Sequence, residues 1–451
     1  MRCSMRVRRF LLLLLLLLPL FSCNREESDN DLPLLERLRQ IPGLQVVEIA
    51  PLAGYPQAFQ VDIAQEIDHN DPGKGTFSQR FYLSFRSEEA PTVFYTSGYG
   101  IGRNRESEPA ALLQANQVLL VHRYFPYAVP SLDDWSFLTI EQAAADQHKV
   151  RERLRGILPG PWVSSGASKG GMTALYYRYF YPADVAATVA YVAPVMERTE
   201  DPRFPPFFDQ VGTAECREKL RRFQLEVLGR RAAMLSLVHE HALLKQYSFS
   251  VFSEAQALEY SVLEYPFAFW QYGTSGGCDA IPDPDAADRE LFDHLVAVSP
   301  LSYYADADYQ YYRPLFYQAY TEIGYCPFRF AHLSGLLHAV SSPSYRAFAP
   351  RGVEMIFRPP TMQKVVPWLR LQGERIIHIY GKDDPWTAAA LVPDPGLDAL
   401  QVVQPGANHR VQIKDLDRKA EVIQALERWL QIDIDETRLA SVAAETERER
   451  L

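Results

Sequence analysis

Apolar and polar positions alternate near the beginning of the chain. Residues 43–49, 57–63 and 78–85 alternate or carry β-branched and aromatic side chains, and the turn signal Asn70-Asp71-Pro72-Gly73 separates the last two segments. Segments of this kind, bounded by turn residues, are typical of half-buried strands. The pattern therefore predicts an antiparallel entry to a sheet.

Four later segments are continuously apolar instead of alternating. They are residues 92–100, 117–125, 161–168 and 187–194, and stretches of helical pattern lie between them, notably 139–157 and 169–181. Continuous apolar runs are typical of parallel strands that are buried on both faces. The alternation of such strands with helices predicts an α/β body with a parallel sheet covered on both sides.

The pattern changes at about residue 197. From there to about residue 360 the chain is rich in Tyr, Phe and Leu at helical spacing, and no buried strand interrupts it convincingly. Strand patterns return at 375–381 and 399–406, before an amphipathic helix at 416–430. We therefore predict a helical insertion in an α/β body. The predicted divisions are a first part of the body at 41–196, the insertion at 197–360, a second part of the body at 361–435 and a charged, frayed tail at 436–451.

The N-terminus has the pattern of an export signal. Four arginines within the first nine residues precede Phe10 and eight consecutive leucines, a run that is too short to span a bilayer as a stable helix. Leu20-Phe21-Ser22-Cys23 resembles the lipobox of bacterial lipoproteins, and a polar segment follows it. We predict a lipoprotein signal peptide at 1–22, lipidation of Cys23 and a polar tether at 23–40. The alternative is a plain signal peptide with an unmodified cysteine.

Composition and charge narrow the class of protein. Hydrophobic residues make up 47% of the chain and charged residues 23%, which excludes wholesale disorder, and the net charge of −10 argues against a nucleic-acid partner. An acidic protein would be held at a membrane by acyl chains and not by its charge. We expect an extracytoplasmic, membrane-anchored protein at the outer membrane or cell surface of a Gram-negative bacterium.

Three of the five cysteines would remain in an oxidising compartment after Cys3 is removed and Cys23 is lipidated. These are Cys216, Cys278 and Cys326. They allow one disulfide and one odd thiol, or three separate buried thiols.

Ser168 lies in Gly166-Ala167-Ser168-Lys169-Gly170, between a predicted strand and a predicted helix. A G-x-S-x-G sequence in this context is typical of the nucleophile elbow of α/β-hydrolases, in which small neighbours let strand and helix approach closely. The helix dipole there favours developing negative charge. The alternative is an ordinary glycine-rich turn.

A serine nucleophile needs a base that is held by a third group, and in this architecture the order is Ser, Asp or Glu, then His. Asp383 and Asp384 follow the predicted strand 375–381, and His409 follows the predicted strand 399–406. Pro385 fixes the turn after Asp384, so we prefer Asp384 as the orienting carboxylate and leave Asp383 as a solvated or helping residue. The predicted triad is Ser168, Asp384 and His409, with no metal ion and no cofactor.

The oxyanion of the reaction would need backbone donors. We expect them to be the N–H of Lys169 and one from the loop Ser97-Gly98-Tyr99-Gly100, that of Tyr99. The glycine loop is equally compatible with a plain turn.

Many segments resemble motifs of the secreted bacterial tripeptidyl aminopeptidases, serine peptidase family thirty-seven, which is related to the lysosomal prolyl carboxypeptidase and dipeptidyl peptidase group. The segments are His122-Arg123-Tyr124-Phe125, Asp134-Trp135-Ser136, the run from Leu138 to Asp146, the run from Ser165 to Met172, Gly212-Thr213, Cys216-Arg217, Phe269-Trp270-Gln271-Tyr272-Gly273 and Asp384-Pro385-Trp386. The resemblance extends from about residue 40 to 432. It implies an α/β-hydrolase fold whose large helical cap is inserted between the nucleophile strand region and the strands before Asp384 and His409. It also implies the same triad, and a disulfide between Cys216 and Cys278 that leaves Cys326 free.

The resemblance implies a serine exopeptidase that releases dipeptides or tripeptides from free N-termini through an acyl-enzyme. A Cys23 anchor would be a departure from the secreted members. Two alternatives stay open, a carboxylic ester hydrolase, because the same triad cleaves esters, and a catalytically dead binding lipoprotein.

An aminopeptidase must pair the α-ammonium group of its peptide substrate, because burying that charge alone is prohibitive. Candidate carboxylates in the cap region are Glu264, Glu259 and Asp201. Trp270 and Tyr272 would line apolar subsites for the first residues of the peptide.

Overall fold

The computed structural model describes residues 32–130, 134–273 and 275–441. The predicted signal peptide and the lipidation site at Cys23 lie outside the described residues. Within those ranges, no helix has the length and apolar character that crossing a membrane requires.

The described residues form one mixed sheet of nine strands in the order β1-β2-β3-β5-β4-β6-β7-β8-β9. Neighbours from β1 to β3 and the pair β3–β5 are antiparallel, and every pair from β5 to β9 is parallel. Both predicted kinds of strand are therefore confirmed. The strands are β1 (Leu44–Ile49), β2 (Gln57–Glu66), β3 (Thr76–Phe85), β4 (Thr92–Thr96), β5 (Asn116–Leu120), β6 (Trp162–Ala167), β7 (Ala187–Tyr191), β8 (Ile376–Gly381) and β9 (Leu400–Gln404).

Helices cover both faces of the sheet, as an α/β-hydrolase fold requires. Along β4, Phe94 packs into the core on one face, and Val93 and Tyr95 pack into the core on the other. Alternate side chains of a strand point to opposite faces, which is why a continuously apolar segment is needed here. The helices are α1 (Leu34–Gln40), α2 (Glu108–Leu112), α3 (Ile140–Leu154), α4 (Lys169–Phe180), α5 (Phe204–Phe208), α6 (Ala214–Gly229), α7 (Arg231–Lys245), α8 (Glu254–Tyr272), α9 (Asp288–Val298), α10 (Asp306–Gln318), α11 (Pro360–Leu371) and α12 (Lys419–Leu430).

The helical insertion lies between β7 and β8. It contains α5 to α10, and its described residues contain no strand. It is joined to the body by specific polar contacts as well as by apolar packing. The buried Glu322, whose pKa is raised by burial to about 7, accepts a hydrogen bond from the N–H of Ile140 at 2.8 Å, at the beginning of α3. We call the insertion the cap below.

Two of the predicted boundary segments are wrong in part. The predicted polar tether at 23–40 includes α1, because Leu34 and Leu38 lie one helical turn apart and are buried in a core cluster with Val46. The predicted frayed tail begins with a 3₁₀ turn at Glu436–Ser441, in which Leu439 is buried in the main core. In both segments, the burial of leucine side chains favours an ordered turn or helix although charged residues flank them.

Cys216 and Cys278 form a disulfide across 62 residues of the cap, and Cys326 is free and buried. This is the pairing that the family resemblance implied. Cys216 lies in the first turn of α6, whereas Cys278 follows α8, so the bond closes a loop that contains most of α6 and all of α7 and α8.

We predict that replacing both Cys216 and Cys278 by Ser lowers the free energy of unfolding by about 4 kcal/mol, because closing a loop of this length restricts the unfolded chain. Thermal unfolding monitored by circular dichroism measures the effect, with Cys326→Ala as the control. Denatured, unreduced wild-type protein should show one reactive thiol among these three cysteines. Three reactive thiols, or a double variant that melts with the wild type, would contradict the expectation.

Candidate active site

Ser168 occupies a strained turn between β6 and α4. Its backbone has φ 55° and ψ −124°, a region that a residue with a side chain rarely adopts. The turn is fixed from both sides, because the Ser168 N–H donates to the Tyr191 carbonyl on β7 at 2.9 Å and its carbonyl accepts from Met172 N–H in α4. Strain of this kind costs about 1–3 kcal/mol and persists only where the surroundings enforce it.

The glycines around Ser168 are required by the close approach of three backbones. A Cβ atom on Gly166 would lie 2.4 Å from the carbonyl carbon of Gly170, and one on Gly170 would lie 2.2 Å from the Thr96 carbonyl oxygen. Real side chains cannot be accommodated at such distances without moving backbone. The arrangement brings the end of β4 onto the first turn of α4, directly beside Ser168.

Asp384 and His409 meet after the last two strands. His409 Nδ1 lies 2.6 Å from Asp384 Oδ2, and both side chains are almost fully buried. The other carboxylate oxygen of Asp384 accepts the Trp386 N–H at 3.1 Å, which fixes the carboxylate at the start of a short 3₁₀ helix. Asp383 is partly exposed, and burial raises the pKa of its carboxyl group. The structure thus places Asp384, and not Asp383, against His409.

The end of α8 in the cap contacts the His409 loop. The N–H of His409 donates to the carbonyl of Gln271 at 2.9 Å, and the ring of Tyr272 meets the imidazole edge-on with a centroid distance of 5.9 Å. The orientation of His409 therefore depends on the cap as well as on Asp384.

A cavity of about 650 Å³ lies between the body and the cap. Ser168 and His409 are on its floor, together with Ser97 and Tyr99 from the loop after β4. Its cap walls are rich in tyrosine and carry two carboxylates, those of Glu264 and Asp308. The cavity is large enough for several residues of a peptide, and it encloses chemistry suited to acyl transfer.

Glu264 projects from α8 onto the wall of this cavity. Burial raises the pKa of its carboxyl group to about 8, and the hydroxyl of Tyr345 donates a hydrogen bond to it. Among the described residues, no basic side chain forms an ion pair with it. Glu264 is therefore a half-buried residue, enclosed in the cavity wall, whose carboxyl group lacks a cationic partner among the described residues.

The sequence and structure comparisons identify the family. The model of the PS-10 peptidase S37 family matches residues 28–445. The chain belongs to this family. It is a serine peptidase, and the resemblance inferred from the motifs is confirmed.

Known members and neighbours give the scale of the similarity. A prolyl tri/tetrapeptidyl aminopeptidase from Streptomyces mobaraensis is 36% identical over 402 residues, which cover 87% of this chain and 84% of that protein. The human lysosomal Pro-X carboxypeptidase is 30% identical over 142 residues, or 27% of this chain and 29% of that protein. Among solved structures, a proline iminopeptidase from Mycobacterium smegmatis aligns with a TM-score of 0.37 and 15% identity, over 84% of this chain and all (100%) of that one.

Of the two backbone N–H groups predicted as oxyanion donors, one has no partner within its helix and the other has a partner within its own loop. The N–H of Lys169 is in the first turn of α4, where backbone N–H groups have no partner within the helix. The N–H of Tyr99 donates to Ser97 Oγ at 3.0 Å, so in this structure it is engaged within its own loop. A serine can accept a hydrogen bond from the backbone of its own loop in this way, and Ser97 does so here.

Two predicted carboxylates of this peptidase do not line the cavity. Glu259 is fully buried and accepts hydrogen bonds from the N–H groups of residues 338–340, and it also pairs with Arg231. Asp201 is held by the guanidinium of Arg203 at 2.7 Å. Both are already neutralised by partners within the chain, so they are corrected here to structural residues.

Tyr272 lines the cavity that contains Ser168, as predicted, but Trp270 does not. Trp270 lies over Gly212 and lines a second cavity of about 740 Å³ on the other side of α8, which does not contain Ser168. A helix turns by about 100° per residue, so residues 270 and 272 face directions about 200° apart. No feature of the sequence indicates which side of α8 faces Ser168.

Sequence reasoning missed several cavity residues of the peptidase. They lie near the start of α10 and in the segments beside it, and they are Asp308, Tyr303, Tyr304 and Tyr325. The only signal was the abundance of tyrosine in the cap, which does not identify individual positions.

One group of side chains could in principle hold a metal ion. Among the described residues, His148, Glu152 and Asp184 are the one group of at least three His, Cys, Asp or Glu residues whose ligand atoms all lie within 4.8 Å of one another. They do not line the cavity that contains Ser168.

Proposed function

We propose that this protein is a lipid-anchored, extracytoplasmic exopeptidase that releases short peptides from free N-termini. The observation that carries the proposal is the single cavity in which Ser168, His409 and the unpaired carboxyl group of Glu264 occur together. A nucleophile with its base makes a hydrolase, and a buried carboxylate in the same enclosed space selects substrates with a free ammonium group.

The proposed reaction starts when Ser168 Oγ attacks the scissile carbonyl carbon while the imidazole of His409 takes the hydroxyl proton. Asp384 holds the Nδ1–H side of the ring and stabilises the imidazolium that forms. His409 then gives the proton to the leaving amine, and a peptidyl ester remains on Ser168. Water, deprotonated by His409, hydrolyses this ester and restores the hydroxyl group.

The oxyanion formed in both steps lies near the N-terminus of α4 in this proposal. The N–H of Lys169 points there, and the helix dipole adds positive potential at the same place. The loop Ser97–Gly100 forms the opposite side, because Ser97 and Tyr99 share the cavity floor with Ser168.

The state of Glu264 suits an amine ligand. Its pKa of about 8 is close to that of a free peptide α-amino group. One proton passing from the carboxyl group to the amine therefore produces a carboxylate–ammonium pair at little cost, and no net charge enters the cavity. An N-acetylated peptide cannot accept that proton and would leave Glu264 protonated.

The relative from Streptomyces mobaraensis is named a prolyl tri/tetrapeptidyl aminopeptidase. We infer a preference for prolyl peptides here. Trp386 and Tyr325, whose ring centroids are 5.3 Å apart, line the cavity next to the Asp384 turn and offer aromatic faces to a proline ring. An ester hydrolase would use the same triad, but it would have no use for a buried carboxyl group in the substrate cavity.

We predict that Asp384→Asn lowers kcat by about 10⁴-fold, because the amide no longer holds the required imidazole tautomer. Asp383→Asn, one residue away and partly exposed, is the matched control and should change kcat by less than about threefold. Ser168→Ala sets the inactive reference, and fluorophosphonate labelling checks that Ser168 is the modified residue. Equal losses in the two aspartate variants, or turnover by Ser168→Ala, would refute the proposed triad.

We predict that Glu264→Gln raises KM and lowers kcat for free-amine peptides together, since the ammonium contact both binds and positions the substrate. Peptide esters with blocked amines should be hydrolysed as by the wild type. Asp308→Asn, which removes the other carboxylate of the cavity, is the matched control. If wild-type enzyme cleaves N-acetylated and free tripeptidyl substrates equally well, the exopeptidase assignment is wrong.

We propose the lipid anchor on the sequence of residues 1–23 alone. Cys23→Ala should move the protein from the membrane fraction to the soluble fraction or halt its processing, because acyl chains at this residue provide the membrane affinity. Mass spectrometry of the mature N-terminus is the direct measurement. A soluble wild-type protein whose mature chain does not begin at a modified Cys23 would disprove the anchor.

A further inference from the structure

The side chain of Lys169 carries a buried amino group that has no role in the reaction proposed above. Lys169 follows Ser168 directly and is 4% exposed. Burial lowers the pKa of its amino group to about 7, and the described residues include no carboxylate that forms an ion pair with it. Burying an ammonium group without such a partner is expensive, so the position calls for a compensating role.

The hydrogen bond of Lys169 shows what the side chain holds. Its Nζ donates to the carbonyl oxygen of Gly98 at 2.8 Å. The rings of Tyr99 and Phe125 pack edge-on against each other beside this contact, each with its centroid 5.7 Å from Nζ. The Lys169 side chain does not line the substrate cavity, so it reaches the loop Ser97–Gly100 from behind.

The peptide between Gly98 and Tyr99 transmits this contact to the cavity. A trans peptide is planar, and its C=O and N–H point in opposite directions. With the Gly98 carbonyl directed to Lys169, the Tyr99 N–H must point to the opposite side, where it meets Ser97 Oγ at 3.0 Å. Ser97 lines the cavity beside Ser168, so this N–H is directed to the side where the oxyanion would form.

Glycine at position 98 makes the arrangement possible. Gly98 has φ +73°, and a Cβ atom there would lie 2.6 Å from the backbone nitrogen of Gly170. The loop therefore lies directly on the first turn of α4. Glycine allows many backbone conformations, so Gly98 does not itself fix the orientation of the peptide that follows it. The hydrogen bond from the Lys169 side chain restricts that orientation.

We propose that Lys169 is a positioning residue, whose side chain holds the Gly98–Tyr99 peptide so that the Tyr99 N–H faces the oxyanion formed on Ser168. The inference rests on the proposed function, because it takes Ser168 as the nucleophile. As the oxyanion forms, it replaces Ser97 Oγ as the acceptor for the Tyr99 N–H. The Ser97 hydroxyl still donates to the carbonyl of Tyr99, as it does at 2.8 Å in this structure. One residue would thus contribute to both sides of the oxyanion site, through its backbone N–H and through its side chain.

The test uses Lys169→Met, which keeps the length and the backbone N–H but removes the donor to Gly98. We expect kcat to fall about 100-fold while KM changes less than about threefold, because the interaction stabilises the transition state and not the bound substrate. A peptide boronic acid, which forms an anionic tetrahedral adduct with serine, should lose affinity by the same factor as kcat/KM. Binding of the intact peptide, measured in the Ser168→Ala background, should be unchanged by the second substitution.

Thr173→Val is the structural control. It removes the hydrogen bond from Thr173 Oγ1 to the Lys169 carbonyl at 2.8 Å and loosens the same helical turn without touching the loop. Thr173→Val should lower the melting temperature by about as much as Lys169→Met does. Its kcat should nevertheless stay within about threefold of the wild-type value. Lys169→Gln, which retains a shorter N–H donor, should fall between wild type and Lys169→Met.

Each other outcome decides against the inference. Full activity of Lys169→Met overturns it, as does a lower kcat with unchanged boronate affinity. Failure of both Lys169 variants to fold shows a structural role and also overturns it. If Ser168→Ala is inactive while Lys169→Met is fully active, this inference fails and the proposed function stands; turnover by Ser168→Ala is instead the failure of the proposed function.

Discussion

The close approach of β4, β6 and the first turn of α4 is the constraint on which the rest of the site depends. The Thr96 carbonyl, the Gly166 backbone and the Gly170 backbone share a space that no Cβ atom can enter. This contact holds Ser168 at positive φ, directs its side chain above the sheet and brings the loop after β4 beside it. The strain is local, and the continuous parallel sheet on either side opposes its relaxation.

The cap completes a site that the body alone does not form. The Ser168 elbow and the Asp384 turn belong to the body, but the backbone of His409 is hydrogen-bonded to the end of α8. The same helix supplies Glu264 to the cavity wall, so one element contacts the His409 loop and lines the cavity. A movement of α8 would therefore alter the His409 loop and the cavity wall together.

The body could be predicted from the sequence because its signals are local. Continuous apolar strands, the glycines around Ser168 and the order of Asp384 and His409 each follow from short-range rules of sheet burial and turn geometry. The cap could not be predicted in the same detail. Its helices are apolar on more than one side, so periodicity does not reveal which side of α8 faces Ser168.

The four residues predicted on α8, Glu259, Glu264, Trp270 and Tyr272, show the consequence of this ambiguity. At about 100° per residue, Glu259 and Trp270 lie roughly opposite Glu264 on the helix. On the opposite side, Trp270 lines the second cavity. Glu259 accepts hydrogen bonds there from three backbone N–H groups of the segment at 338–340. A buried glutamate looks the same in the sequence whether it caps a turn or binds a ligand, because the difference lies in distant backbone groups.

Two buried ionisable groups near the site have no oppositely charged partner among the described side chains. Glu264 lies on the cap wall, and Lys169 lies behind the oxyanion loop. Burial of such a group costs free energy. In the proposed reaction, a peptide with a free N-terminus brings an ammonium group to Glu264, and an oxyanion develops beside the loop that Lys169 holds. Such a site stabilises its transition state with groups that are already in place, so little reorganisation accompanies the reaction. Glu264 lies on the cap side of the cavity and Lys169 lies behind the loop after β4, so the two groups act on opposite ends of the bound segment in the proposed reaction.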